Sequence, residues 1–290
     1  MKRLRFVPVL FLALSAVATG AAPPARRIIA CAPNLTEIVF DLGAGDLLVG
    51  DTKYCMSPPE ALLKPKVCDF LTLYPERIAR LKPDLALMLR FQGERIGQME
   101  RLGVPTLVLD DDSVGDVYDS YEMIGRWIGR EKEARSALKR LRDRLEAVRA
   151  RAVNRRRVSV LFVVGRGWNG AAGPMLGAGK GSFIDDLIAL AGGENILSGV
   201  KQPYPFVSKE FLLKRDPDVI VESIPRGEAR RLTAAQRRKG WETLGSLKAV
   251  REGRLYFLDH EDGYLVPGPG MSKLAEYLEG LFAQAGAPKN

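Results

Sequence analysis

Histidine is nearly absent from this chain: one in 290 residues, His260. That scarcity excludes a histidine-rich zinc or manganese centre. It also removes the base of a hydrolytic triad, because His260 has no recognisable nucleophile partner and no Gly-x-Ser-x-Gly occurs. Cysteine is scarce too. Cys31, Cys55 and Cys68 follow no zinc spacing. Long apolar runs are missing except at the N-terminus, and that one is short for a membrane span. No further stretch is long and apolar enough to cross a bilayer.

What is present begins with a leader. MKRLR is basic, FVPVLFLALSAVA is apolar and TGAA is small. That order is a secretory signal over residues 1–22, with cleavage expected near Ala21 or Ala22. No cysteine follows at a lipoprotein position, since Cys31 comes later and inside an apolar run. The expected product is soluble, exported and periplasmic. Export permits disulfides. Cys55 and Cys68 flank a Pro-rich segment and could close a short loop, leaving Cys31 as a buried thiol. Sequence alone leaves that pairing open.

The formal charge is +9, and Lys2, Arg3 and Arg5 of it belong to the leader. Much of the rest lies in KRLRDRLEAVRARAVNRRR, residues 139–157. Without interleaved aromatics this reads as a solvated helix face, and no nucleic-acid partner is expected.

Two glycine-rich stretches invite a nucleotide reading. GRGWNG (165–170) follows the apolar run VSVLFVV, as a dinucleotide fingerprint would. That fingerprint must open a helix at once. Here AAGPMLGAGKG follows, too rich in Gly and Pro for a helix. GAGKGS (177–182) lacks the leading glycine of a phosphate loop, because residue 174 is Pro, and Gly181 stands where a hydroxyl should bind magnesium. Both motifs fail, and the expected feature is a long loop leaving a strand towards a ligand cleft.

Strand-like and helix-like runs alternate through the chain. RRIIACAP, LLVGDTKY, DLALML and VPTLVLD are read as strands. TEIVFDLGA, YPERIARL and ERIGQMERLG are read as helices, the first capped from Asn34–Glu37. A long helical region, 114–154, is broken at Gly129. Alternation then resumes with VSVLFVV, SFIDDLIALAG, DVIVES and RLYFLD. The expected fold class is α/β: two Rossmann-like α/β lobes joined by a single long backbone helix. The boundaries are an N-terminal lobe over 26–128, a linking helix over 129–154 and a C-terminal lobe over 157–290.

The lobes echo each other. ERIARLKPDLAL (76–87) and EFLLKRDPDVIV (210–221) share a Glu, a short apolar helix, a basic residue, Pro-Asp and a strand. Glu76 and Glu210 precede Pro83 and Pro217 by the same seven residues. A helix dipole explains each Glu singly, as a first-turn anion, but says nothing of the symmetry.

These segments, with APNLTEIVFDLGAGDLLVG (32–50), YCMSPPEALLKPKV (54–67), GAGKGSFIDDLIALAGGENIL (177–197) and PYPFVSKEFLLKRDPDVIV (203–221), resemble the periplasmic binding proteins of iron-complex and cobalamin ABC importers. The resemblance covers nearly the whole mature chain and is nearest to the cobalamin-binding members. It implies a two-lobed binding protein that performs no chemistry and carries no cofactor or metal of its own. The cargo would be cobalamin, or a related corrinoid or other metal-chelate small molecule, and the partner an ABC importer permease dimer at the inner membrane. The protein would dock there peripherally as a monomer.

The resemblance also assigns residues. Glu76 and Glu210 fall on the positions that dock to the permease. Tyr54, Phe70 and Tyr204 fall on aromatic cleft positions, and Trp168 in GRGWNG would extend that wall from the second lobe. Aromatic walls suit a flat macrocycle. Asp259 closes the last strand run and His260 follows it; both are candidates to meet the ligand, the latter as an axial partner of haem beside Tyr54. Two departures loosen the choice of ligand: Gly270 stands where the family has Arg, and Phe70 where its cobalamin binders have Trp. Haem and ferric siderophores remain alternatives, with a sensor or an enzyme using the cleft as more remote ones.

Overall fold

The computed structural model describes residues 23–69, 71–166, 175–224, 233–259 and 265–287. Five parallel strands make the first sheet: β1 (Ile28–Ala30), β2 (Leu48–Thr52), β3 (Lys66–Cys68), β4 (Leu85–Leu89) and β5 (Thr106–Leu109), in the order β3-β2-β1-β4-β5. Helices α1 (Pro33–Asp41), α2 (Pro75–Leu81) and α3 (Glu94–Arg101) alternate with them. Helix α1 starts at Pro33, with Ala32 as its N-cap, one turn earlier than the Asn34–Glu37 cap expected from sequence. Proline suits that first position because its missing N–H would be unpaired there anyway.

Two helices follow. α4 (Val114–Ile128) opens on Ser113, whose hydroxyl accepts from Asp116 N. Gly129 ends it at φ 68°, a conformation glycine adopts without strain. α5 (Glu131–Ala152) then spans 22 residues, about 33 Å at the helical rise.

The second sheet holds β6 (Val158–Arg166), β7 (Met175–Gly177), β8 (Gly193–Asn195), β9 (Phe206–Val207), β10 (Val219–Ile224) and β11 (Leu255–Asp259). Its order is β11-β10-β6-β7-β9, with β8 also on β6. Strands β6, β8, β10 and β11 run parallel, while β7 is antiparallel to β6 and β9. Its helices are α6 (Phe183–Leu190), α7 (Lys209–Arg215), α8 (Ala234–Glu242), α9 (Lys248–Arg251) and α10 (Met271–Gly286).

Side chains alternate across each sheet as the pleat requires. Ile28, Ala30, Leu85, Leu87, Val160, Phe162, Val219 and Val221 all face one large core. That core takes in α4, α5, α6 and α10, so the connecting helices are a packed layer between the sheets. The opposite face of the first sheet holds Ile29, Cys31, Cys68, Ala86, Met88 and Met99. That of the second holds Leu161, Val163, Ile220, Leu212 and Trp241.

Candidate functional site

The first sheet delivers its polar residues beyond its carboxyl edge, where open α/β sheets bind ligands. β5 runs out into Asp110, Asp111 and Asp112 ahead of the Ser113 cap. Arg90, at the end of β4, donates twice to Asp110, at 2.6 and 3.0 Å. Asn34, in the first turn of α1, donates to Asp111 Oδ2 at 3.2 Å. Burial, reinforced by Asp112, raises the Asp111 carboxyl to about 6. Near them stands Tyr204 of the second lobe. The residue is 40% exposed, while its hydroxyl is pushed up to about 12 by burial and by the charges of Asp111 and Asp112. The lobes also meet where Val114 N donates to Asp186 Oδ2 at 2.9 Å.

A second exposed ring beyond a strand's carboxyl end is Tyr54, two residues after β2. It is 48% exposed, and its backbone N–H bonds Thr52 Oγ1 at 3.3 Å. Exposed Phe91, after β4, and Phe206, in β9, add aromatic surface near the strand termini. Sequence reasoning missed Phe91, Asn34 and the Asp110–Asp112 run. A triple aspartate directly after the apolar run VPTLVL was the available signal.

The second lobe's glycine-rich loop is shaped by packing. Gly177 N bonds Pro205 O at 3.0 Å and Gly179 N bonds Pro203 O at 2.7 Å. A Cβ on Gly179 would come within 2.5 Å of Gln202 O. Ser182 caps α6 and donates to Gly179 O at 2.8 Å. Its resemblance to a phosphate loop therefore has a structural origin: these glycines let two loop segments lie side by side, close to Tyr204.

Glu76 and Glu210 both lie exposed in the first turn of a seven-residue helix. Each is followed two residues later by a buried apolar anchor, Ile78 or Leu212. The backbone N–H at the start of α7 and the Ser208 hydroxyl draw the Glu210 carboxylate below its ordinary range. Asp259 closes β11 opposite Ile224. Phe70, Trp168 and His260 lie outside the described residues.

The cysteines depart from the expected pairing. All three are buried free thiols, so no Cys55–Cys68 bridge is formed. Cys55 Sγ lies 3.1 Å from Thr36 Oγ1 instead. Cys68 is the hydrogen-bonding neighbour of Cys31, and with burial this drives the Cys31 thiol well up. Their strands flank β2 on either side, some 9–10 Å apart by strand spacing, beyond the Cα reach of a disulfide. Among the described residues, no group of three or more His, Cys, Asp or Glu is arranged to hold a metal ion.

The family model described as periplasmic binding protein matches residues 28–261. The chain belongs to this family. It is a substrate-binding protein of the class that serves ABC importers, and the two-lobed α/β fold follows the family's pattern. The vitamin B12-binding protein of Salmonella paratyphi A is 30% identical over 206 residues, 70% of this chain and 74% of that protein. The solved periplasmic vitamin B12 binding protein BtuF of Vibrio cholerae aligns with TM-score 0.75 and 25% identity, covering 90% of this chain and 98% of its own. The periplasmic heme-binding protein RhuT from Roseiflexus sp. RS-1 aligns with TM-score 0.77 and 25% identity, covering 91% and 100%. Family membership fits a periplasmic location; the expected leader, 1–22, lies outside the described residues.

Proposed function

We propose that this binding protein captures cobalamin or a related corrinoid between its lobes and hands it to the permease dimer of an ABC importer. The observation that carries the reading is that Tyr204 of the second lobe lies near enough to Asp111 and Asp112 of the first for their charges to act on its hydroxyl. One aromatic ring and several carboxylates converge on one cleft, and Tyr54 adds a second exposed ring from the first lobe. A corrin ring offers a broad apolar face to the aromatics. Its carboxamides donate hydrogen bonds that carboxylates accept. The relatives named for vitamin B12 support the same cargo.

The protein catalyses no reaction in this reading and needs no cofactor of its own. It works as an exported periplasmic monomer, with Phe70, Trp168, Asp259 and His260 as further candidate ligand contacts. Glu76 and Glu210 present two matched anions to a twofold permease, which fixes the docked orientation. Haem is the second reading, favoured by the heme-binding structural neighbours.

Isothermal titration of the mature protein with cyanocobalamin, and in parallel with haemin, tests the cargo. Saturable one-to-one binding of cyanocobalamin near micromolar or tighter, with haemin silent, supports the corrinoid. A haemin isotherm without a cobalamin one overturns it. Replacing Glu76 and Glu210 by Ala should abolish uptake in cells while leaving ligand affinity unchanged; persistent uptake at low protein concentration removes the docking role.

A further inference from the structure

The turn after β3 is held by a single carboxylate. Asp69 Oδ1 accepts from Leu71 N and Thr72 N, both at 2.9 Å. Oδ2 accepts from Lys53 Nζ at 3.1 Å and from Tyr74 Oη at 2.9 Å. The backbone closes the turn again, with Asp69 N donating to Thr72 O at 2.9 Å and Cys68 bridging to Leu73. A carboxylate has about four lone-pair positions, and here all four are used. The Leu71 N–H first, then Lys53, Tyr74 and Thr72, hold this carboxyl far below the usual aspartate range.

Its partners lead in two directions. Lys53 Nζ lies 5.3 Å from the centroid of the Tyr54 ring. Tyr74 is the N-cap of α2, the helix that carries Glu76, and the Arg77 guanidinium lies 4.9 Å over its ring. One side chain therefore links an exposed ring to the helix expected to meet the permease.

We propose that Asp69 is a positioning residue for the cargo cleft: it holds Lys53 over Tyr54, fixing the first lobe's aromatic rim, and joins that rim to the helix bearing Glu76. This rests on the reading of Tyr54 as part of the ligand-binding wall. The physical gain is preorganisation. An exposed ring that samples several rotamers must be ordered when cargo binds, and that ordering weakens affinity. A ring already held by a neighbouring ammonium, itself anchored by Asp69, avoids the loss.

The test is a double-mutant cycle. Asp69→Asn keeps an acceptor for the turn amides, but its amide NH2 no longer accepts from Lys53 or from Tyr74. Lys53→Met removes the ammonium alone. Each should weaken cyanocobalamin binding by about tenfold, with the thermal midpoint nearly unchanged, and each should lose its effect in a Tyr54→Ala background, as coupled neighbours do. Affinity losses that simply add to that of Tyr54→Ala, or no loss at all, overturn the proposal. A second measurement needs no ligand. In protein carrying ring-labelled ¹³C-tyrosine, the Tyr54 signal, assigned with Tyr54→Phe, should report an ordered ring in the parent and an averaged one in Asp69→Asn; identical spectra overturn the proposal. If neither cyanocobalamin nor haemin binds the parent, the cargo reading falls by itself, and the ring spectra alone decide whether Asp69 orders Tyr54.

Discussion

Helices α2 and α7 end alike. At Lys82 and Asp216 the backbone turns left-handed, with φ 45° and 41°, and these are the non-glycine residues with positive φ among the described positions. Pro-Asp follows in each lobe, then β4 or β10. Asp84 accepts from Arg26 N and Arg27 N at 2.9 and 2.8 Å, and Asp218 from Ser159 N at 2.9 Å, so each ties its helix exit to the first strand of its own lobe. The outer cores differ. Behind the first sheet lie thiols and thioethers, Cys31, Cys68, Met88 and Met99. Behind the second, buried Glu222 lies 3.5 Å from Arg237 Nε and 3.6 Å from Arg166 Nη1, and accepts from Trp241 Nε1 at 2.5 Å. The local repeat survived where it sets backbone direction and a surface carboxylate. It diverged where only packing was at stake.

The comparison can be broken most forcefully at Glu222. Glu222→Ala leaves two arginines under α8 without their carboxylate and should cost about 3–5 kcal/mol. Urea denaturation that shows less than 1 kcal/mol would make this cluster no more demanding than the apolar core of the other lobe.

Glu37 tests the first lobe by pH. It is 7% exposed, and burial raises its carboxyl to about 8, with Lys273 opposing. The native state therefore holds a proton that the unfolded chain releases. The stabilisation is full below about 4.5, declines as pH rises, and is gone above about 8, a loss of order a few kcal/mol. Asp51 and Asp111, each raised to about 6 chiefly by burial, add to the decline over its acidic part. Glu37→Gln should flatten the slope between pH 6 and 8 in thermal unfolding; an unchanged slope refutes the assignment.

A finer test compares the two exit aspartates. Asp218 also binds Lys248 and is nearly buried, whereas Asp84 is exposed. Asp218→Ala should cost about 1–3 kcal/mol and Asp84→Ala less; the reverse order in chemical denaturation would contradict the geometry. The smallest effect concerns the left-handed residues. Lys82→Gly should stabilise by up to about 1 kcal/mol by relieving its φ. Asp216→Gly should gain less, because Asp216 Oδ1 accepts from Lys248 N at 2.7 Å. Equal melting shifts would mean that this bond contributes nothing.

Much of this architecture was legible because local patterns state it directly. Short apolar runs gave β1, β2, β4, β5, β6, β10 and β11, and Gly129 marked the break between α4 and α5. The Glu–helix–Pro-Asp echo predicted that Glu76 and Glu210 would sit on equivalent helices, as they do. The short strands β3, β7, β8 and β9 escaped notice, since two or three residues carry no period and Gly193 or Met175 gain strand geometry only from a neighbour. α10 escaped too, although Leu274, Leu278, Leu281 and Phe282 are buried on it. At the site, Tyr54 and Tyr204 stood out as aromatics in loops. Asp111 and Asn34 did not, because they lie 77 residues apart and meet only through the parallel order of β1, β4 and β5.

The sequence by itself determined the alternation of strand and helix, the duplicated unit with its two exposed glutamates, and the failure of both nucleotide motifs, because each is written in residues a few positions apart. Only the tertiary structure decided that the three thiols remain free, that Asp69 gathers Lys53 and Tyr74, and that Tyr204 comes within reach of the charges of Asp111 and Asp112. Those outcomes depend on which strands become neighbours, and that choice is made by burying every apolar face at once rather than by any local stretch of chain.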